Sequence, residues 1–216
     1  MPSAEESPSA PEPGRDCPLC PRLKAFRDDN RVRYPDFFNA PVPSFGDPKA
    51  RILVVGLAPG LKGANRTSRP FTGDYAGDLL YATLARHGLT RGTYRQHAED
   101  GFALVGCRIT NAVRCVPPQN KPLPDEETTC RKFLVGEIAA LPNLKTILAL
   151  GVVAHSSVLR AFGCKLSGFP FKHGALHELP NGIALADSYH CSRYNTNTGV
   201  LTDAMFDEVV RRIAAR

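Results

Sequence analysis

The chain has 216 residues, 43% of them hydrophobic, which suits one α/β domain with a sizeable core and is short for two domains. It carries 27 Lys and Arg against 21 Asp and Glu, and the net charge of +6 suits a polyanionic partner, although a basic protein without such a partner has the same balance. Because there is no apolar run of 18 or more residues and no signal-peptide pattern, we expect no membrane span and a cytoplasmic location.

The first half of the chain predicts two helices and one buried strand. Residues 1–15, rich in Pro, Ser and Glu, predict a disordered tail ahead of a single domain over 16–216. A helix is expected from Pro21, and a proline-rich loop separates it from a buried strand at 52–57, where a short apolar run ends in Ala-Pro-Gly. A polar, aperiodic segment then leads to a helix that begins near Asp78.

The second half of the chain alternates strands with helices. Strands are expected to end near Asn111, Gly151 and His190, and helices are expected over residues 126–141, 152–163 and 203–216. This alternation predicts a mostly parallel sheet with helices on both faces. Ligands bind beyond the carboxyl ends of such strands, so we expect the loops that follow these strands to form the site.

Four of the seven cysteines form two distant pairs. Cys17 and Cys20 begin the first helix as a Cys-x-x-Cys pair, and Cys115 and Cys130 flank a proline-rich loop. Structural disulfides are rare in cytosolic chains, whereas four thiolates hold zinc or an iron–sulfur cluster, and spacing does not distinguish the two. The alternative is a Cys-x-x-Cys helix start with unrelated buried cysteines.

Two loops after the first strand carry candidate binding residues. The first is a backbone-rich loop that follows the strand directly. It can bring main-chain N–H groups against a ligand, although it lacks the sequence that ends a P-loop. Phe71 lies in a polar loop, where its ring either stacks on a nucleobase or caps the core. The backbone-rich loop consists of Gly56, Leu57, Ala58, Pro59 and Gly60.

Polar side chains follow two later strands. The Asn111 amide offers a donor and an acceptor, which suits a base edge, although Asn is also a common cap. His190 begins a polar cluster that continues through Ser192, Arg193 and Tyr194. Because this cluster follows a strand end, we favour an active-site loop over an isolated structural histidine.

Together these segments resemble the uracil-DNA glycosylase superfamily, and most closely its family 5, the B-type enzymes. The matching pieces are CPLCPRL, GLAPG, NRTSRPFTGD, ITNAVRCVPPQNKP and HCSRYNTNTG, which extend from residue 17 to about 202. Family 4 carries Glu directly after the first Gly of the first motif, where this chain has Leu57. Cys191 stands where the superfamily usually has Pro after the motif His.

The resemblance implies an α/β fold, a three-layer α/β/α sandwich, and a [4Fe–4S] cluster on the four paired cysteines. It also implies hydrolysis of the N-glycosidic bond of uracil flipped out of double-stranded DNA, which leaves an abasic site and initiates base excision repair. In this interpretation Asn111 reads the base edge, Phe71 stacks on its face, and His190 stabilises negative charge on uracil O2.

Because Leu57 cannot act as a base, another group must position water. We expect Asp74 to do so, with Asp78 as a second candidate that also suits a helix N-terminus. No aromatic residue follows Pro59, so thymine opposite guanine and hypoxanthine are expected to enter as well. Side chains expected to contact DNA are Lys62, Asn65, Arg66, Ser192, Arg193 and Tyr194.

Two other functions fit the same residues. One is a protein of the same superfamily that binds uracil-containing DNA without turnover, because the first motif lacks its acid. The other is a zinc-stabilised module that binds single strands. We expect a monomer that associates with the nucleoid, and the sequence leaves open a protein partner such as a sliding clamp.

Overall fold

The computed structural model describes residues 11–216, so most of the predicted tail, residues 1–10, lies outside the described residues. The described elements, in chain order, are α1 Pro21–Arg33, β1 Phe45–Gly46, β2 Ile52–Gly56, α2 Ala64–Thr67, α3 Tyr75–Arg86, β3 Thr90–Arg91, β4 Ala103–Leu104, β5 Cys107–Asn111, α4 Pro124–Ala139, β6 Thr146–Leu150, α5 Val152–Ala161, β7 Leu176–Glu178, β8 Ala184–Ser188, α6 Arg193–Asn197 and α7 Asp203–Ala214.

A six-stranded sheet in the order β1-β5-β2-β6-β8-β7 forms the centre of the fold. Its four inner strands run parallel, and the short edge strands β1 and β7 pair antiparallel with their neighbours. The predicted parallel sheet is therefore confirmed. The two edge strands were missed because two or three residues are too few to show a period.

Helices cover both faces of this sheet. Alternate strand residues such as Val54 and Ile109 pack towards the side of α3 and α7, in one core with Leu80 and Phe206. Their neighbours, such as Leu53, pack towards α4 and α5 in a second core. This arrangement confirms the three-layer α/β/α sandwich. Among the described helices, none has the length and apolarity needed to cross a membrane.

Several predicted boundaries were wrong. Helix α3 begins at Tyr75 and not near Asp78, because the Asp74 side chain caps its first turn. The segment expected as one strand up to Asn111 divides into β4 and β5. The last inner strand ends at Ser188, and the residues beyond it turn into α6, capped by Ser192.

The described end of the predicted tail lies against the domain. The carboxylate of Glu12 pairs with the buried guanidinium of Arg114 and also accepts a hydrogen bond from the backbone N–H of Ser44 at 3.1 Å. Residues 11–15 thus contact the domain next to the loop that carries Cys115.

Candidate active site

The loops after β2, β5 and β8 meet, as predicted, at the carboxyl edge of the sheet. They enclose a cavity of about 470 Å³. The cavity is lined by Leu57, Ala58, Pro59, Gly60, Ala64, Phe71, Asp74, Tyr75, Ala76, Asn111, Asn120, His190, Ser192 and Arg193. Residues predicted from three separate motifs therefore share one surface.

Gly56 brings Asn111 and Phe71 together at the inner end of this cavity. Gly56 and Asn111 are register partners at the ends of β2 and β5. A Cβ atom on Gly56 would lie 2.4 Å from Asn111 Oδ1 and 2.6 Å from Phe71 Cζ, so only hydrogen fits there. Phe71 is 7% exposed and has a φ of 52°, which is rare for a residue other than glycine.

Asp74 combines a structural contact with a place in the cavity wall. One carboxylate oxygen accepts a hydrogen bond from the backbone N–H of Gly77 at 3.2 Å. The other faces the backbone of Gly63, where an added Cβ would lie 2.4 Å from Oδ2. Burial raises the pKa of Asp74, the Gly77 N–H partly offsets this, and the charge of Asp78 adds to the rise. Asp74 is thus a stronger base than an exposed carboxylate.

His190 and Phe71 both line the cavity, and their rings face each other. The ring centroids of the two residues are 6.0 Å apart and their planes differ by 28°. The backbone carbonyl of His190 accepts a hydrogen bond from Asn195 Nδ2 at 2.8 Å, which ties the loop to α6. Burial lowers the pKa of His190, and this favours the neutral imidazole, which can still donate one N–H.

Four residues of the cavity lining were not predicted as site residues: Ala64, Tyr75, Ala76 and Asn120. The guanidinium carbon of Arg193 lies 5.3 Å from the ring centroid of Tyr75. Tyr194 is 74% exposed and does not line the cavity. Tyr75 directly follows Asp74 and is the first residue of α3. Its position next to the predicted Asp74 is the sequence feature that would have identified Tyr75 as a site residue.

The prediction that Asn65 contacts DNA is wrong. Asn65 is fully buried, and its Nδ2 donates to Asn39 Oδ1 at 2.8 Å. Asp78, the second candidate base, does not line the cavity, and its carboxylate accepts a hydrogen bond from Gln96. Lys62 and Arg66 are exposed, and Arg66 Nε donates to the backbone carbonyl of Lys62 at 2.9 Å.

The four predicted cysteine ligands border one small cavity between α1, the loop after β5 and α4. Two hydrogen-bond donors already point at their sulfur atoms. Arg27 Nη1 donates to Cys115 Sγ at 3.8 Å, and the backbone N–H of Arg114 donates to Cys130 Sγ at 3.3 Å. Arg27 is 2% exposed, and its Nε has no partner among the described residues. A buried guanidinium with a spare donor fits a negatively charged thiolate centre.

A second group of potential metal ligands lies elsewhere, where α5, β7 and β8 meet. His155 Nδ1 is 2.7 Å from Asp187 Oδ1, and His155 Nε2 is 2.8 Å from the carbonyl oxygen of Phe169. Both ring nitrogens therefore face acceptors, as in an imidazolium. Burial opposes this charge, but the hydrogen bond and charge of Asp187 outweigh burial and raise the pKa of His155. The hydrogen-bonding groups of His155 and Asp187 are thus satisfied by an ion pair between the two side chains.

Comparison with known proteins agrees with the resemblance. The family model described as "Uracil DNA glycosylase superfamily" matches residues 43–214. The chain is 46% identical over 199 residues to a type-5 uracil-DNA glycosylase of Thermus thermophilus, covering 90% of each chain. It is 42% identical to one of Mycobacterium bovis, over 90% of this chain and 76% of the relative, and 38% identical to one of Pyrobaculum aerophilum, over 92% and 88%. The chain therefore belongs to the uracil-DNA glycosylase superfamily, among its type-5 members.

Proposed function

We propose that this protein hydrolyses the N-glycosidic bond of uracil in double-stranded DNA and so initiates base excision repair. The observation that carries the proposal is the convergence of Phe71, Asp74, Asn111 and His190 on one cavity in a chain of this family. The volume of about 470 Å³ lies in the range of small-molecule sites and accommodates a base only after it leaves the stack.

Asn111 and Phe71 recognise the flipped base. The Asn111 side chain donates from its amide nitrogen to uracil O4 and accepts from N3–H with its amide oxygen. Phe71 stacks on the base plane, as aromatic rings do with unstacked bases. Their close packing against Gly56 supports this division of roles, because it leaves neither side chain free to rotate away.

His190 and Asp74 act on the bond that breaks. As the bond between C1′ and N1 opens, its electron pair stays on the base, and the neutral His190 ring donates an N–H to uracil O2. The ionised Asp74 stabilises the sugar cation and orients water towards C1′. The water oxygen bonds to C1′, and its proton passes to Asp74. The DNA phosphates also stabilise the sugar cation.

DNA is bound around the cavity mouth. Arg66 and Lys62 are exposed on the loop before Phe71, and Ser192 and Arg193 border the cavity on the other side. These side chains contact phosphates on both flanks of the extruded nucleotide. Tyr194, which is largely exposed, fills the space that the base leaves.

Hypoxanthine and thymine opposite guanine are proposed as further substrates. Pro59 is followed by Gly60 in the cavity wall, so no aromatic side chain at that position closes on C5 of the base. The additional methyl group of thymine is then disfavoured relative to uracil by at most about 1–3 kcal/mol.

A [4Fe–4S] cluster is proposed on Cys17, Cys20, Cys115 and Cys130. Such a cluster, once bound, would tie α1 to the loop after Asn111 and supply rigidity. The four cysteines border one small cavity, where Arg27 and the backbone N–H of Arg114 face two of the sulfur atoms, and this supports a negatively charged thiolate centre. Zinc is the competing occupant of four thiolates.

Purified protein is therefore expected to be brown, with an absorption band at about 400 nm and about four iron atoms per chain. Cys130→Ser should lose the band, because it removes one of four thiolates. Cys164→Ser is the matched control and should keep it. A colourless wild-type protein with one zinc ion per chain would contradict the proposal.

The activity is tested with duplexes that contain one uracil, one hypoxanthine or one thymine, each opposite its mispaired base. Wild type is expected to release uracil over many turnovers, and Asn111→Ala should release it at least about 10-fold more slowly. Tight binding of uracil DNA without release would instead establish the binding protein. Release of uracil without release of hypoxanthine or thymine would contradict the proposal of these two further substrates. The monomeric state, the nucleoid location and a sliding-clamp partner stay predictions.

A further inference from the structure

The loop that carries Phe71 and Asp74 is held through three consecutive backbone carbonyls. The Tyr81 hydroxyl donates to the carbonyl of Pro70 at 2.5 Å, and the Tyr94 hydroxyl donates to the carbonyl of Phe71 at 3.2 Å. Thr67 Oγ1 donates to the carbonyl of Thr72 at 3.0 Å. The three hydroxyl groups come from α3, from the loop between β3 and β4, and from α2. Each successive peptide is therefore anchored to a different part of the fold.

This loop needs external support because its backbone is strained. Phe71 has a φ of 52°, which costs an ordinary residue about 1–3 kcal/mol and persists only when its surroundings impose it. Its carbonyl also lies so close to α3 that a Cβ on Gly77 would be 1.7 Å from the oxygen. The Tyr94 hydroxyl also accepts a hydrogen bond from the backbone N–H of Gly73 at 3.3 Å, so it holds the chain at two points directly after the strained residue.

A buried arginine fixes Tyr94 in place. Arg69 is 3% exposed, and its two terminal nitrogens each lie 2.8 Å from an oxygen of Asp100. Its Nε donates to Thr72 Oγ1 at 2.8 Å. The Asp100 carboxylate accepts two backbone N–H groups of its own loop as well. The Arg69 guanidinium carbon lies 5.0 to 5.8 Å from the ring centroids of Phe45, Tyr81, Tyr94 and Phe102.

We infer that Tyr94, locked by the Arg69–Asp100 ion pair, is a positioning residue for base excision. It acts through Phe71 and Asp74, which flank the segment that its hydroxyl holds. The segment that carries Tyr94 and Asp100 belongs to none of the motifs that lead to the site. This inference rests on the proposed function, because the loop matters for catalysis only if Phe71 and Asp74 serve it. Removal of the hydroxyl frees the loop without removing any group that touches the substrate.

Tyr94→Phe is the direct test, because it removes one hydroxyl and keeps the ring beside Arg69. We expect backbone amides of residues 71–77 to exchange hydrogen faster. The single-turnover rate of uracil release should fall about 10-fold, which corresponds to one hydrogen bond. Affinity for an undamaged duplex and the melting temperature should change little. Gln96→Ala is the matched control and should leave both readouts unchanged, because Gln96 lies in the same loop and, within residues 11–216, its side chain hydrogen-bonds to Asp78 alone.

Unchanged hydrogen exchange at residues 71–77 in Tyr94→Phe would overturn the inference, whatever the rate of uracil release. Faster exchange with a wild-type rate of uracil release would overturn it too, because the hydroxyl would then serve only the stability of the loop. If the wild-type protein released no base at all, the proposed function would fail. Hydrogen exchange alone would then decide whether Tyr94 holds the loop.

Discussion

Asp74→Asn is expected to slow uracil release by about 100-fold or more and to leave the fold intact. The reason is that Asn keeps the hydrogen-bond acceptor that caps α3 but loses the negative charge that orients water and stabilises the sugar cation. The measurement is the single-turnover rate on a duplex with one U:G pair, together with the melting temperature. Asp74→Ala should lose the same activity and, in addition, about 1 kcal/mol of stability, because the cap is lost.

The pH dependence gives an independent check of the same carboxylate. Asp74 acts when ionised, and burial raises its pKa, so the rate should fall as the pH drops through a value above the ordinary one of about 3.9. Asp78→Asn is the matched control. It should retain activity, and the acid limb should move to lower pH, because the charge of Asp78 contributes to the raised pKa. A wild-type rate in Asp74→Asn would show that another group positions the water.

Gly56→Ala is expected to produce the second large effect. The added methyl would lie 2.4 Å from Asn111 Oδ1 and 2.6 Å from Phe71 Cζ, and both side chains are buried. Neither can move without leaving the base pocket, so we expect a loss of about 100-fold in the single-turnover rate. Overpacking at the end of a central strand should also cost about 1–3 kcal/mol of unfolding free energy, measured in urea.

A double variant separates the two contacts of Gly56. Asn111→Ala in the Gly56→Ala background removes one overlap, so it should recover part of the lost stability while the rate stays low. If stability and rate of Gly56→Ala both match wild type, Gly56 does not hold Asn111 and Phe71 together. If the double variant is no more stable than Gly56→Ala, the overlap with Phe71 dominates.

The amino-acid sequence by itself determined the inner sheet and the residues at the ends of its strands. The apolar runs that form β2 and β6 are continuous because both faces of these strands are buried, and this pattern is local. Asn111 and His190 were identified because polar residues that follow such strands lie at the edge where ligands bind. The two cysteine pairs were also recognised from a local pattern, namely their spacing in the sequence.

Only the tertiary structure decided which polar residues face the cavity and which support it. Asn65 and Asp74 occupy the same polar segment, yet Asn65 is buried against Asn39 and Asp74 lines the cavity. The loop of Tyr94 reaches Phe71 from a hairpin 23 residues away in the chain. No local pattern encodes such contacts, because a hydrogen-bond partner distant in sequence is selected by how the elements pack and not by the residues beside it.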